Sequence, residues 1–292
     1  MEMADGKQTQ ILLINDMAGY GKVALSAMIP VLSHLKYEIF NLPTALVSNT
    51  LDYGRFDILD TSEYMQHTLQ IWEEFLFSFD AICTGFIVSE KQSTLVYKYC
   101  KEQQKKGTLI FVDPIMGDDG ERYNGISDEA VTYMKRLCSI ADVIVPNFTE
   151  ACFLTGYTMR PTYSEMDVEV IANRLNTLGA KAVVITSSNI NGKMFTVVKK
   201  SSEDSCILIP YEEIPVRFPG TGDIFMAIVV GHYMKSGQLV ESVQIAMQQL
   251  EKIIRSNMNY TDKYKGMHMA YLNGRVCGAK RPKCEAERSH HL

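Results

Sequence analysis

Short apolar runs alternate with amphipathic segments along most of the chain. The runs are rich in Ile, Leu, Val and Ala, and the segments that follow most of them place apolar residues at helical spacing. Runs apolar on both faces are typical of parallel strands covered by helices on either side. The pattern predicts strands at residues 10–15, 80–84, 107–113, 142–146 and 182–186, and helices at 22–35, 91–105, 127–137, 148–154 and 164–178.

The alternation of predicted strands and helices stops after Thr186. Residues 193–199 and 205–210 are strand-like with no helix between them, which predicts an antiparallel extension of the sheet. Helices are predicted from 220 to 234 and from 239 to 258. The expected fold is α/β, a doubly wound, mostly parallel sheet flanked by helices. With no Pro-, Gly- or Ser-rich linker, residues 1–272 are predicted to form one domain, and residues 273–292 a flexible tail.

The amino-acid composition argues against several classes of function. The chain has 292 residues, a net charge of −5 and 46% hydrophobic residues, so its bulk charge does not favour nucleic acid or an anionic membrane as a partner. The first ten residues lack a signal-peptide pattern, and apolar stretches such as 224–230 are shorter than the ~20 residues that span a bilayer. A soluble, cytoplasmic protein is predicted.

The seven cysteines are scattered and include no C-x-x-C pair, which argues against a disulfide framework and a structural zinc site. Cys83, Cys138, Cys152 and Cys206 stand among apolar neighbours and are predicted to be core residues. The histidines show no metal-ligand spacing, and two of them close the tail, at 290 and 291.

Polar and acidic groups follow several predicted strands. They occur at residues 113–118, 147–150 and 186–187. In open α/β sheets ligands bind beyond the carboxyl ends of the strands. Carboxylate and amide oxygens there suit Mg²⁺, which keeps several waters and takes few protein ligands. The alternative is local structure: Asn147 as a helix N-cap, and Asp118 at the start of a turn.

The sharpest motif is Gly220-Thr221-Gly222-Asp223 at the start of an apolar helix. Two glycines let the backbone approach an anion closely, and the N–H groups and dipole of a helix N-terminus favour negative charge. A carboxylate in the first turn is then placed to accept a proton from an attacking hydroxyl. Simple stabilisation of the helix end by Asp223 is the alternative interpretation.

Taken together, these motifs resemble the ribokinase-like superfamily. The stretches are Asp113-Pro-Ile-Met-Gly-Asp118, Pro146-Asn-Phe-Thr-Glu150, Val184-Ile-Thr-Ser187 and Gly220-Thr-Gly-Asp223. Their order and spacing are most similar to the vitamin kinases that phosphorylate pyridoxal, pyridoxine and pyridoxamine. The resemblance covers about residues 10–260, and the early turn at 15–21 is similar to the start of a vitamin kinase.

The resemblance implies a role for each residue of the site. Asp223 is expected to be the catalytic base, with Gly220, Thr221 and Gly222 forming an anion-binding site. The substrate ring is expected among Asn15, Asp16, Thr50, Phe86 and Tyr123. The nucleotide phosphates are expected near Asp113, Asp118, Asn147, Glu150, Thr186 and Ser187, with Mg²⁺ held by Asp113, Asp118 and Glu150. ATP is the expected donor, K⁺ a further candidate cofactor, and a homodimer the expected assembly.

Two stretches depart from the family pattern. Many relatives have Thr-His-Thr-Gly-Gly where this chain has Ser48-Asn-Thr-Leu-Asp52, and Thr-Gly-Tyr-Leu-Gly where it has Thr84-Gly-Phe-Ile-Val88. Both belong to the substrate side, so the preferred vitamer stays open. A hydroxymethylpyrimidine kinase and a nucleotide-binding scaffold without catalysis remain alternatives. A dinucleotide-binding dehydrogenase is excluded, because no G-x-G-x-x-G follows the first strand.

Overall fold

The computed structural model describes residues 8–269. Its helices and strands alternate along most of the chain. The strands are β1 (Gln10–Ala18), β2 (Glu38–Val47), β3 (Ile58–Asp60), β4 (Ala81–Thr84), β5 (Leu109–Val112), β6 (Gly117–Asp118), β7 (Glu121–Arg122), β8 (Val143–Ile144), β9 (Ala182–Ile190), β10 (Lys193–Lys200) and β11 (Ile207–Tyr211). The helices are α1 (Ala24–His34), α2 (Ser62–Glu74), α3 (Glu90–Lys105), α4 (Glu129–Cys138), α5 (Phe148–Thr155), α6 (Glu165–Thr177), α7 (Thr221–Ser236) and α8 (Leu239–Asn257).

Nine strands form one sheet in the order β11-β10-β9-β8-β5-β4-β1-β2-β3. Pairing is parallel from β2 through β1, β4, β5 and β8 to β9, and antiparallel at both edges. The short strands β6 and β7 form a separate antiparallel hairpin after β5. The predicted doubly wound, mostly parallel sheet with an antiparallel extension is confirmed.

Two hydrophobic cores lie on opposite faces of this sheet. Along β1, Leu12 and Ile14 pack into one core, whereas Ile11 and Leu13 pack into the other. This is the two-residue alternation of a strand buried on both sides. Helices α2 to α6 cover the first face, and α1, α7 and α8 cover the second. Cys83, Cys138 and Cys152 are buried as predicted, while Cys206 is half-buried.

Residues 38–74 contain elements that the sequence pattern did not predict. β2 carries Pro43, a residue usually confined to edges and bulges of sheets because it cannot donate to a ladder. The pairing of β1 with β2 is irregular at this point, where Asn15 pairs with Pro43 but Met17 pairs with Leu46. The bulge therefore accommodates the proline. Helix α2 carries few apolar residues, which weakens its sequence signal.

β9 is longer than predicted. It continues past Thr186 to Ile190 because it turns directly into β10, which pairs with it in the antiparallel sense from Lys193 onward. Thr186 is paired with Asn147 by an isolated bridge. The next residue, Ser187, has a φ of 56°, in the left-handed region that few non-glycine residues adopt. The strand is therefore distorted at the level where its parallel neighbours end.

The segment after α8, residues 258–269, returns across the loops that follow β1 and β2. The backbone N–H of Lys22 donates to the carbonyl of Lys265 at 2.9 Å, and the Thr50 hydroxyl donates to the carbonyl of Tyr264 at 2.9 Å. The Tyr53 hydroxyl donates to Asp262 at 2.8 Å. This segment, which we call the C-terminal strap, joins both loops to the end of the described chain.

No helix within residues 8–269 is long and apolar enough to cross a membrane. The predicted tail, including the two histidines at 290 and 291, lies outside the described residues. The division into a domain of residues 1–272 and a tail of 273–292 therefore stays a prediction.

Candidate active site

A large cleft of about 2040 Å³ opens at the carboxyl ends of the parallel strands. Its volume exceeds the ~300–1,000 Å³ typical of a pocket for one drug-sized ligand, so two ligands fit side by side. All but one of the sequence-predicted site residues line it: Asp16, Thr50, Phe86, Asp113, Asp118, Tyr123, Asn147, Glu150, Thr186, Ser187, Gly220, Thr221, Gly222 and Asp223.

Asn15 is the exception, because its side chain lies behind the cleft wall and is only 1% exposed. Successive side chains of a strand point to opposite faces, so only one of two neighbours at the end of β1 reaches the cleft. That neighbour is Asp16. The expectation that Asn15 contacts the substrate ring is therefore not supported by its position.

Asp223 lies in the first turn of α7 and is 9% exposed. Its Oδ1 accepts a hydrogen bond from the Asn15 side-chain amide at 3.2 Å, and its Oδ2 accepts one from the backbone N–H of Ala24 at 2.8 Å. Ala24 has a φ of 48°, an uncommon conformation for a non-glycine residue. The carboxylate is thus held by β1 and by the start of α1. The contribution of Ala24 is made by its backbone, so no side-chain motif predicts it.

Burial governs the charge state of this end of the cleft. It raises the pKa of Asp223 above its usual range, and the hydrogen bonds from Ala24 and Asn15 lower it in part. Burial, and then the charge of Asp223, raises the pKa of Asp16 to about 7. Two neighbouring carboxylates with raised pKa values are characteristic of functional sites.

The N-terminus of α7 is open towards the cleft. Gly220 precedes the helix with a φ of 83°, and no described side chain caps this end. By contrast, capping boxes close the N-termini of α5 and α6. The first N–H groups of a helix have no intrahelical partner, so those of α7 are available to an anion in the cleft.

Both the backbone conformation and a close contact with a neighbouring segment require glycine at position 220. A Cβ at this position would lie 2.4 Å from the backbone oxygen of Lys22. A Cβ at Gly222 would lie 3.9 Å from Oδ2 of Asp113, so this carboxylate reaches the first turn of α7. The glycines therefore let α7 start close to two other parts of the cleft wall.

Asn147 and Glu150 have a structural role at the start of α5. The Asn147 side chain accepts the N–H of Glu150 at 2.9 Å, and Glu150 accepts the N–H of Asn147 at 2.9 Å. Asn147 also donates to the carbonyl of Gly117 at 2.8 Å, and Glu150 accepts the N–H of Met116 at 3.0 Å. The capping interpretation of Asn147 is confirmed, and the pair also fixes the start of the β6-β7 hairpin.

Three carboxylates near this hairpin have raised pKa values. Burial is the first cause for Asp113, Asp118 and Glu150, and repulsion adds to it: from Glu150 and Asp223 on Asp113, and from Asp119 on Asp118. Among residues 8–269, no three acidic, His or Cys side chains converge closely enough to hold a metal directly. The hard oxygens and their mutual repulsion fit Mg²⁺ held largely through water.

Arg217 is a cleft residue that the sequence analysis did not single out. It contacts Asp119 at 2.5 Å and Asp118 at 3.7 Å, which ties the loop before Gly220 to the hairpin. The only sequence signal is its place three residues before the glycine motif. Most charged residues that line the cleft are acidic. Arg217, three residues before Gly220, is one of the few that add a positive charge near the open N-terminus of α7.

The remaining predicted residues lie at two ends of the cleft. Thr186 and Ser187 line it beside Asn147. Thr50 and Phe86 line it at the other end, where Thr50 is joined to the C-terminal strap. Phe86 is 8% exposed, so it is a core residue with one edge in the cleft. Burial, and then the charge of Glu150, raises the pKa of Tyr123.

The sequence model of the phosphomethylpyrimidine kinase family matches residues 33–268. The chain belongs to this family. The predicted membership of the ribokinase-like superfamily, close to its pyridoxal kinases, is confirmed. The matches support phosphorylation of the pyridoxal or hydroxymethylpyrimidine kinase type, and the chain has the fold of that group.

Three similar proteins define the group more closely. The pyridoxal kinase of Arabidopsis thaliana is 26% identical over 88% of this chain and 84% of its own. A crystal structure of a Bacteroides thetaiotaomicron protein, assigned to the phosphomethylpyrimidine kinases and crystallised with pyridoxal, has a TM-score of 0.83 and 29% identity, covering 89% of this chain and 92% of that one. The pyridoxal kinase of Leishmania donovani, in complex with ADP and pyridoxamine, has a TM-score of 0.78 and 24% identity, covering 91% and 95%.

Proposed function

We propose that this protein transfers the γ-phosphoryl group of ATP to the 5′-hydroxymethyl group of pyridoxal, pyridoxamine or pyridoxine. The observation that carries the proposal is the position of Asp223. It is a buried carboxylate in the first turn of a helix whose N-terminus is open to the cleft, and both of its oxygens are hydrogen-bonded. The ligands reported for the Bacteroides and Leishmania proteins support the choice of substrates and of ATP.

In the proposed reaction Asp223 accepts the proton of the 5′-hydroxyl. The hydroxyl oxygen then forms a bond to the γ-phosphorus of ATP while the bond from that phosphorus to the bridging oxygen breaks, which releases ADP. Phosphoryl transfer depends chiefly on alignment and on neutralising charge. The N–H groups at Gly220, Thr221 and Gly222 would donate hydrogen bonds to the oxygens of the transferring group.

Mg²⁺ is part of the proposal. Asp113, Asp118 and Glu150 would hold it, and its chemistry is to neutralise charge on the nucleotide phosphates. Asn147 positions Glu150 through the capping box. Of the residues that line the cleft, Thr186 and Ser187 would contact the phosphates, and Thr50, Phe86, Asp16 and Tyr123 would surround the ring. K⁺ as a further cofactor, a cytoplasmic location and a homodimeric assembly stay predictions, and light scattering checks the last of these.

The test is a phosphorylation assay with pyridoxal, pyridoxamine, pyridoxine and hydroxymethylpyrimidine. Loss of a general base is expected to lower kcat for the B6 vitamers by ~10²–10⁴-fold in Asp223→Asn. The matched control is Asp142→Asn. The Asp142 side chain is 11% exposed and accepts the N–H of Ile110 at 2.8 Å, but Asp142 lies at the opposite end of the strands. We expect its kcat to stay within ~3-fold of wild type.

Hydroxymethylpyrimidine kinase is the second candidate, since a relative from Aquifex aeolicus, 23% identical over 85% of this chain, is named a hydroxymethylpyrimidine/phosphomethylpyrimidine kinase. Phosphorylation of hydroxymethylpyrimidine alone would select it and leave the role of Asp223 intact. Binding of ATP without phosphorylation of any of these compounds would favour the catalytically inactive scaffold. Equal losses in Asp223→Asn and Asp142→Asn would contradict the assignment of the base.

A further inference from the structure

The buried amide of Asn15 has a fixed orientation. Its Oδ1 receives two backbone N–H groups, from Phe86 at 2.8 Å and from Asp16 at 3.0 Å. An atom that faces two donors must be the amide oxygen, so the NH₂ group has to be on the other side. There it faces Oδ1 of Asp223 at 3.2 Å and the sulfur of Met28 at 3.7 Å.

The space for this amide depends on a glycine. A Cβ at Gly85 would lie 2.5 Å from both Cγ and Nδ2 of Asn15. The absence of a side chain after β4 thus lets β1 place an amide directly against it. Because Asn15 is only 1% exposed, water cannot replace its hydrogen bonds.

Asn15 consequently joins two parts of the site that are far apart in sequence. One side of the amide is bonded to the backbone of Phe86, whose ring lines the substrate end of the cleft. The other side is bonded to Asp223. A single rigid group therefore sets the distance between the wall of the ring site and the carboxylate.

We propose that Asn15 is a positioning residue, which orients the Asp223 carboxylate relative to the bound ring without touching the substrate. This inference rests on the proposed function. The inference predicts that loss of the amide affects kcat and KM unequally. Removing the amide displaces the base but removes no side chain that lines the cleft, so the larger loss falls on kcat, and the KM for the vitamer changes less.

The first experiment compares Asn15→Leu with Gln92→Leu. Gln92 is a matched control because it is another buried amide that donates to a backbone carbonyl, Thr44, at 2.7 Å and to a carboxylate, Asp60, at 2.9 Å. It also accepts a backbone N–H, from Val88 at 3.1 Å. Both variants are expected to unfold at lower temperature. Only Asn15→Leu is expected to lower kcat by ~10–100-fold with KM within ~3-fold of wild type.

A double-mutant cycle asks whether the effect passes through the base. In the Asp223→Asn background, Asn15→Leu is expected to lower kcat by less than ~3-fold, because there is no base left to position. Gly85→Ala, which pushes the amide without removing it, provides a second perturbation should Asn15→Leu not fold. It is expected to lower kcat with little change in KM.

Three results would overturn the inference. They are an unchanged kcat in Asn15→Leu and Gly85→Ala, an equal loss of kcat in Gln92→Leu, and a full loss repeated in the Asp223→Asn background. A wild-type protein that phosphorylates none of the ring compounds would instead overturn the proposed function, on which the inference depends.

Discussion

The cleft has two ends that are held together in different ways. One end contains Asp223, and we call it the base end after the proposed role of this residue. There Asp223 is 9% exposed and accepts one N–H on each oxygen, from Asn15 and Ala24. At the hairpin end, Asp119 is joined to Arg217, and their side chains are 75% and 58% exposed. Exposed ion pairs contribute only about 0–1 kcal/mol, whereas a buried group left unpaired costs more. The base end is therefore built to keep one geometry, whereas the contact between Asp119 and Arg217 can rearrange at small cost.

The strongest test of this contrast is Gly220→Ala at the base end. The new Cβ would meet the backbone oxygen of Lys22 at 2.4 Å, and the residue would keep a φ of 83°. The start of α7 must move, and Asp223 with it. We expect kcat to fall by ~10²-fold, as for a displacement of about 1 Å in a catalytic site.

The control for Gly220→Ala is Gly237→Ala at the other end of the same helix. Gly237 has a φ of 68°, but a Cβ there would meet nothing within 4 Å. It should lower the free energy of unfolding by about 1–2 kcal/mol and leave kcat unchanged. Equal losses of kcat in both variants would show that strain in α7, rather than the position of its first turn, determines the rate.

The second test uses the buried charge at the base end, through Asp16→Asn. The pKa of Asp16 is raised to about 7 in the folded protein, above its unfolded value. Stability from such a group is fully present below the unfolded pKa and is lost as the pH rises through the folded pKa. Asn cannot ionise, so we expect the variant to gain ~1–3 kcal/mol over wild type at pH 8 and almost nothing at pH 4.

Urea unfolding of Asp16→Asn and wild type at both pH values measures this difference. A gain of the same size at pH 4 and pH 8 would mean that side-chain packing, not the charge of Asp16, is responsible. In that case burial of the Asp16 charge would not be a cost of keeping the base end in one geometry.

The smallest effects are expected at the hairpin end. Arg217→Gln removes a positive charge beside the open N-terminus of α7, and nucleotide binding should weaken by ~3–10-fold. Asp119→Asn breaks the same ion pair but keeps the arginine, so it should change nucleotide affinity by less than ~2-fold. Calorimetric titration with ATP measures both. Equal weakening in the two variants would indicate that the ion pair itself, rather than the charge of Arg217, supports nucleotide binding.

Most of the fold could be predicted from the sequence because the central strands are apolar on both faces. It failed for β2, where Pro43 interrupts the strand pattern and a bulge in the pairing with β1 accommodates it. It also failed for the far end of β9, because residues 186–189 are all polar, so the apolar run ends before the strand does.

For the candidate site, sequence motifs identified groups that line the cleft but not those that support them. Asp113, Asp223 and their neighbours are polar residues placed after strands or at a helix start, so their positions follow from topology. The role of Asn15 depends on its contacts with Phe86 and Asp223, which are distant in sequence. No pattern of side chains in the sequence indicates that the backbone N–H of Ala24 donates to Asp223.

The C-terminal strap has a consequence for the order in which the protein matures. Synthesis proceeds from the N-terminus, and early segments can fold before later ones emerge from the ribosome. The loops that contain Lys22 and Thr50 are made early, but their partners Lys265 and Tyr264 are among the last described residues. A nascent chain that has completed its sheet therefore still lacks the hydrogen bonds that join these two loops to the strap, and the loops stay unsecured until the strap has emerged.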